Sequence, residues 1–317
     1  TWTPEPYFSL ISPESRCVRG GLRGFRARHY SAQGIGPELV SAYLESVMKI
    51  VFSDLDGTLL HLQSYSCEAA KPALDALKER GIPLVFCTSK TRVEVEGWRE
   101  RLGNTHPFIV ENGGAIYIPK GYFGKPVEGA VQRGEYEVIE FGTPYAQLVE
   151  DLRAASQESG CQVLGFNEMT VAEIAVRTLL PVQQAELAKI REYDEPFVIL
   201  GQGTHSLLLE IEKRGRTWTR GNRFYHITGK NDKVEAVKRL TALYREKYGE
   251  IETIGLGDGH NDAGFLGAVD MPVIVRSPFA TVLKKLVPKG MVTNAPGPHG
   301  WNEAILQLLK GAAALAV

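Results

Sequence analysis

Short apolar runs alternate along this chain with stretches whose apolar positions recur at helical spacing. Lys49 to Ser53 reads as a short buried strand. Ala70, Ala73, Leu74 and Leu77 then follow i, i+3, i+4, i+7, one face of a helix that closes at Arg80-Gly81. Ile82 to Cys87 is a second apolar run of strand length. It ends in Thr88-Ser89-Lys90-Thr91-Arg92, and a helix follows through Val93, Trp98 and Leu102 to Gly103. Strand, helix, strand, helix at these lengths predicts a parallel sheet with right-handed crossovers. Phe108 to Ile118 carries Asn112-Gly113 between two apolar arms and predicts a hairpin.

From about residue 126 the texture changes. Glu135 to Phe141 reads as strand, Pro144 to Ser159 as helix and Cys161 to Phe166 as strand. A long helical region is expected from Thr170 to Glu192, with further strands at Phe197–Leu200, Leu207–Ile211 and Phe224–Ile227. After Gly229 the α/β pattern returns. Ala236, Val237, Leu240 and Leu243 mark a helix face, and Ile251 to Leu256 a strand running into Gly257-Asp258-Gly259-His260-Asn261-Asp262. A helix from Ala263 to Ala268, a strand at Val273–Val275, a turn-rich Pro296–Trp301 and a last helix through Ile305 and Leu308 complete the chain. The fold class is therefore α/β: a Rossmann-like parallel-sheet core from residues 48–125 and 229–317, with an inserted α+β cap at 126–228. Inserts of this kind close over a site and exclude water.

Residues 1–47 differ. Five arginines stand between Arg16 and Arg28 with no acid among them, no sustained apolar period appears, and Met48 precedes the first clean strand. The reading here is a disordered leader or upstream sequence. Organellar targeting is the weaker alternative, because Glu5, Glu14, Glu38 and Glu45 spoil the acid-poor pattern of a transit peptide. The net charge of −1 across 317 residues gives no pull toward nucleic acid or membrane and leaves a small molecule as the default partner. Cys17, Cys67, Cys87 and Cys161 form no C-x-x-C pair, which fits a reducing, cytoplasmic compartment and argues against zinc or a disulfide framework. No apolar run approaches the ~20 residues that span a bilayer.

Chemistry collects at the strand ends. Asp54 and Asp56 follow the first strand at i and i+2, the same side of an extended chain. Carboxylates held so close repel unless a cation lies between them. A strand running into a polar Asx turn, with Gly57 at positive φ, would account for them without chemistry. Two further apolar runs also end in polar residues: Thr88 after one, Asp258, Asn261 and Asp262 after the other. Oxygen ligands in this number suit Mg²⁺. Phosphoryl chemistry also needs a positive charge on the transferring group. Lys233, opening a helix, is the first candidate, with Lys230 and Lys90 as rivals.

These segments resemble the haloacid dehalogenase superfamily of aspartate-nucleophile phosphatases. Asp54-Leu55-Asp56-Gly57-Thr58 is similar to its first motif, Thr88 to its second, Asp232-Lys233-Val234-Glu235 to its third and Gly257–Asp262 to its fourth. The insert is placed as in the larger C2-type caps. The resemblance implies Asp54 as nucleophile and Asp56 as general acid and base. It implies Thr88 and Lys233 on the phosphate, and Mg²⁺ held by Asp54, the Asp56 carbonyl and Asp258. Asn261 and Asp262 would order what surrounds them. Within the superfamily the chain is most similar to the mannosyl-3-phosphoglycerate phosphatase family. That likeness rests on Pro107–Ala115, Arg191–Phe197, Arg223–His226 and Gly297–Trp301, with Asn222 standing where a second glycine is expected. A substrate bearing phosphate, carboxylate and sugar would meet Ser89, Glu111, Asn112 and His226. Arg191 or Arg223 would hold the carboxylate, and Glu192, Asp194 or Glu195 the sugar. Sucrose phosphate, a glucosyl-phosphoglycerate, or a non-catalytic phosphoester-binding role are the alternatives. Retention of both Asp54 and Asp56 speaks against the last.

Overall fold

The computed structural model describes residues 47–221 and 223–314, so the expectations for Asn222 and for nearly all of the N-terminal extension lie outside the described residues. The first crossover comprises β1 (Met48–Ser53), α1 (Lys71–Glu79), β2 (Leu84–Phe86) and α2 (Arg92–Leu102). Next come β3 (Phe108–Val110), β4 (Ala115–Pro119), β5 (Val131–Arg133) and β6 (Tyr136–Glu140). The insert adds α3 (Tyr145–Ser159), β7 (Val163–Gly165), α4 (Val171–Thr178), α5 (Val182–Ala188), β8 (Asp194–Ile199), α6 (Thr204–Lys213), β9 (Thr217–Arg220) and β10 (Tyr225–Thr228). The chain closes with α7 (Lys233–Tyr248), β11 (Ile251–Gly257), α8 (Ala263–Ala268), β12 (Met271–Arg276), α9 (Ala280–Leu286), β13 (Met291–Pro296) and α10 (Gly297–Ala314).

Five strands form the central sheet in the order β13-β12-β11-β1-β2, and every pair is parallel. Two distant segments meet at its centre, where β1 pairs with β11 from Met48↔Ile251 to Ser53↔Leu256. Alternate residues of β1 enter opposite cores: Val51 packs with Trp301 and Ile305, Ile50 and Phe52 with Val237 and Phe265. Helices thus cover both faces, as an all-parallel sheet requires. Trp301 of α10 is fully buried, and its indole N–H donates to Ser53 Oγ at 2.9 Å.

Local chemistry sets the helix ends. Thr91 and Glu94 form a reciprocal capping box on α2, and Gly103 ends it at φ 62°. Asp232 caps α7 by accepting from Glu235 N–H at 2.9 Å.

The expected hairpin is present as β3 and β4, with Val110 opposite Ala115. Its tip spans Glu111 to Gly114, and Glu111, Asn112 and Gly113 all have positive φ. The strands at 131–140, which the sequence pattern places with the insert, extend this hairpin into the antiparallel sheet β3-β4-β6-β5. The insert's own sheet is β7-β8-β10-β9 and begins after them.

Three expectations need correction. Leu207–Ile211 is helical: Leu207, Leu208 and Ile211 are buried against Leu148 and Leu152 of α3, while Leu209 is exposed. An apolar run this short does not separate helix from strand until a partner is known. The helix expected over Thr170–Glu192 breaks in two because Leu179 turns into the left-handed region and Pro181 starts α5. Pro296–Trp301 is not a free turn, since α10 begins at Gly297. Among the described residues no helix is long and apolar enough to cross a membrane.

Candidate active site

The loop after β1 turns back on itself at Gly57, whose φ is +83°. A Cβ at Gly57 would lie 2.5 Å from Asp258 Oδ2, so only glycine lets this loop reach the end of β11. Thr58 Oγ1 then donates to Asp258 Oδ1 at 3.0 Å. From the start of α7, Lys233 Nζ donates to Asp54 Oδ1 at 2.8 Å and Asp262 Oδ1 at 2.7 Å. The other Asp262 oxygen accepts the Asp258 and Gly259 N–H groups at 3.0 and 2.9 Å. Gly113 permits the placement of α7: a Cβ there would sit 2.0 Å from the Asp232 carbonyl oxygen.

Asp54, Asp258 and Asp262 bring carboxylate oxygens within 4.8 Å of one another, all buried. One lysine does not balance three buried acids. Burial pushes the Asp54 carboxyl up to about 7, with Lys233 pulling against it and Asp262 adding to it. Asp258 is pushed well above the carboxylate range by burial and by its neighbours Asp54 and Asp262. Burial alone would lower Lys233, but Asp262 and Asp54 outweigh it and hold the ammonium charged. Among the described residues one oxygen each of Asp54 and Asp258 has no hydrogen-bond donor. This all-oxygen, acid-rich set fits a hard divalent cation. It holds no His or Cys and does not fit zinc.

Thr88 is buried at the end of β2. Its hydroxyl accepts the Lys90 N–H at 3.2 Å, leaving its own proton to donate. Asp56 faces a cavity between core and cap that Asp54, Ser89, Asn112, Asp258 and Asn261 also line. Its Oδ2 pairs with Lys90 Nζ at 2.9 Å, and its buried Oδ1 has no partner. Thus Asp54, Lys233, Asp258 and Asp262 come together, Asp56 and Asn261 line the same cavity as Asp54 and Asp258, and Thr88 lies buried just past the end of β2, the neighbour of β1.

The cap residues divide. Arg223 and His226 line the cavity. His226 Nδ1 donates to Asp194 at 2.9 Å, which fixes the ring, and Arg223 donates to the Thr178 carbonyl. Arg191 also lines it, but its guanidinium is spent: Nε donates to the Asp194 carbonyl at 2.9 Å, NH2 to the Ser89 carbonyl at 3.0 Å, and Glu111 and Asp194 flank it. Asp194 is fully buried and accepts from Asn112 Nδ2 at 2.8 Å as well as from His226; burial would raise its carboxyl, but His226 and Arg191 hold it below the usual range. Asn112 Oδ1 in turn accepts from Asn261 Nδ2 at 3.1 Å, tying the cap strand to the loop that carries Asp258.

Glu111, Glu192, Asp194 and Glu195 do not line the cavity. Glu111 accepts the Glu192 and Tyr193 N–H groups, clamping the hairpin tip to the cap; Glu192 turns to Arg92, Tyr117 and Arg133. Glu195 accepts from Tyr145 OH at 2.7 Å and Asn167 N–H at 3.1 Å. The acids expected on the sugar thus pair within the protein: Asp194 and Glu195 as buried carboxylates drawn to donors, Glu192 half-buried among arginines and a tyrosine. The sequence reading also passed over Tyr65, Arg220 and Phe166, which line the cavity from a loop and two cap strand ends. No periodicity marks them. Tyr65 OH donates to the Thr178 carbonyl at 3.2 Å, joining the first loop to the cap.

Nucleophile-sized acids on a strand end, a bridging lysine and an oxygen-only cation site define a class, and the comparisons agree with it. Residues 51–125 match the family model for haloacid dehalogenase-like hydrolases. Solved structures with this fold include the sucrose-phosphatase from Synechocystis in complex with sucrose and phosphate (TM-score 0.54, 15% identity, 82% of this chain and 98% of that one). Another is a haloalkanoate-superfamily phosphatase from Bacteroides thetaiotaomicron (TM-score 0.60, 18% identity, 89% and 99%). The glucosyl-3-phosphoglycerate/mannosyl-3-phosphoglycerate phosphatase of Methanococcoides burtonii is 43% identical over 267 residues, covering 82% of this chain and 97% of its own. The mannosyl-3-phosphoglycerate phosphatase of Pyrococcus furiosus is 40% identical over 230 residues, covering 72% and 91%. The chain belongs to this family of sugar-phosphoglycerate phosphatases within the haloacid dehalogenase-like hydrolases.

Proposed function

We propose that the protein hydrolyses mannosyl-3-phosphoglycerate to mannosylglycerate, a compatible solute, and phosphate, through an aspartyl phosphate on Asp54. The observation that carries the chemistry is the Lys233 ammonium bridging Asp54 and Asp262, next to a cavity that Asp54 and Asp258 line together with residues of the cap. The family carries the substrate. Asp54 attacks phosphorus, and the ester P–O bond breaks as Asp56 gives its proton to the leaving glycerate oxygen. Asp56 then takes a proton from water, whose oxygen attacks phosphorus and frees the Asp54 carboxylate. Thr88 donates to a phosphoryl oxygen, and Lys233 offsets its charge. Asp54, Asp258 and the Asp56 carbonyl would hold Mg²⁺, which when bound neutralises charge on the phosphoryl group. Arg223 and His226 are left to meet the carboxylate and sugar. We place the reaction in the cytoplasm, consistent with three free, buried cysteines among the described residues.

The glucosyl ester is the second reading, because relatives at 43% and 41% identity carry both sugars in their names. Phosphate release from the mannosyl and glucosyl esters and sucrose phosphate, each with Mg²⁺, tests the choice. The mannosyl ester is expected to give the highest kcat/KM. Turnover of sucrose phosphate with none of either phosphoglycerate ester would overturn the proposal.

A further inference from the structure

We propose that Lys90 is the positioning residue for Asp56, holding its Oδ2 so that the carboxyl group is presented to the ester oxygen of a substrate in the cavity. The inference rests on the general-acid role of Asp56 given above. Lys90 is a buried lysine in a cavity wall, and its surroundings leave it little freedom. Its Nζ lies 2.9 Å from Asp56 Oδ2 and 3.3 Å from Glu94 Oε1, and 5.1 Å from the centre of the Tyr65 ring. Glu94 is fixed in turn, its other oxygen accepting the Thr91 N–H at 2.9 Å in the capping box of α2. An ammonium clamped this way fixes the position of the carboxylate oxygen it holds. The Asp56 oxygen that remains is buried and without a partner. A buried polar atom left unpaired is costly unless something else satisfies it. The Asp56 side chain as a whole is 31% exposed and lines the cavity, so Lys90 sets how the carboxyl group is turned toward a substrate there.

Lys90 touches no reacting atom in this arrangement, so its removal should mimic a misplaced acid rather than a lost phosphate ligand. Protonation matters most when the leaving group is a poor one. In forming the aspartyl phosphate, an alkoxide needs the Asp56 proton as its P–O bond breaks, whereas 4-nitrophenolate leaves without it. The readout is therefore the ratio of kcat/KM for an alkyl phosphate to that for 4-nitrophenyl phosphate. The alkyl ester is mannosyl-3-phosphoglycerate, or glycerol 3-phosphate should the wild type reject the mannosyl ester. A wrong substrate assignment thus shows in the wild type, and a wrong role for Lys90 shows in the ratio.

Lys90→Met should lower that ratio about a hundredfold, the lower end of a general acid's contribution. Asp56→Asn should move it in the same direction, and Lys90→Arg should restore most of it. Because Lys90→Met strands Glu94 as a buried charge, the double variant Lys90→Met/Glu94→Gln is measured beside it, with thermal melts to establish folding. Equal losses on both substrates would overturn the proposal. So would a change confined to KM for carboxylate-bearing esters, which would make Lys90 a substrate ligand.

Discussion

At the scale of single residues, Asp54 and Asp56 look alike in sequence and separate in their surroundings. Asp54 is held by Lys233 among other acids, whereas Asp56 lines the cavity and pairs with Lys90. Asp54→Asn should abolish measurable phosphate release while leaving the fold intact, since an amide neither attacks phosphorus nor strands a charge; quenched-flow detection of phosphoenzyme, present in wild type and absent in the variant, checks this. Glu111 and Glu195 make a different prediction. Burial pushes both up to about 7, partly opposed for Glu111 by Arg191 and for Glu195 by its hydrogen bond from Tyr145. An unfolded glutamate loses its proton near 4.5, so between there and about 7 the folded chain binds more protons and stability falls as pH rises. With Mg²⁺ saturating, the melting temperature should decline from pH 5 to 8. Glu195→Gln should flatten the decline by on the order of 3 kcal/mol at most. A variant with an unchanged slope would remove Glu195 as its source.

At the scale of elements, the site depends on close approaches that only glycine allows. Gly113→Ala places a methyl against the Asp232 carbonyl at a φ of +86°, so the start of α7 must move and Lys233 with it. Turnover should drop about a hundredfold for a displacement on the order of 1 Å, with 4-nitrophenyl phosphate hydrolysis as the measure. The same scale shows what was legible in the sequence. Asp54, Thr88, Lys233 and Asp258 each follow an apolar run or open a helix with a cap, so local pattern made them candidates, and the family resemblance chose Lys233 over Lys230 and Lys90. Asn112-Gly113 announced the β3–β4 hairpin, but not that its tip would press on α7. Leu207, Leu208 and Ile211 were misread as strand because their helical spacing only becomes decisive once α3 offers a partner. Glu192 and Asp194, expected on the sugar, pair with Arg92, Arg133 and Arg191, since a charged cluster beside a strand looks the same in sequence whether it faces a ligand or a neighbouring arginine. Lys90 was noted as a rival to Lys233, and its pairing with Asp56 depends on a side chain 34 positions earlier in the chain.

At the scale of the whole molecule, the cap has apolar clusters of its own, inserts Tyr193 into the core cluster and adds polar contacts around the cavity. The acids of the floor repel one another until a cation joins them, so metal binding should stabilise the entire fold. Mg²⁺ at about a hundredfold over its Kd should add roughly 2.7 kcal/mol, read as a rise in melting temperature, and chelation should reverse it and stop turnover. Asp258→Asn should lose both effects; a metal-dependent rise of wild-type size in that variant would place the cation elsewhere. The long-range pairing of β1 with β11 makes one more property available. Trp301, dry and hydrogen-bonded to Ser53, is joined through that residue to the strand end that carries Asp54. Its ultraviolet emission should therefore report on the end of β1 with no dye attached, and difference spectra against Trp301→Phe separate it from the three other tryptophans of the chain.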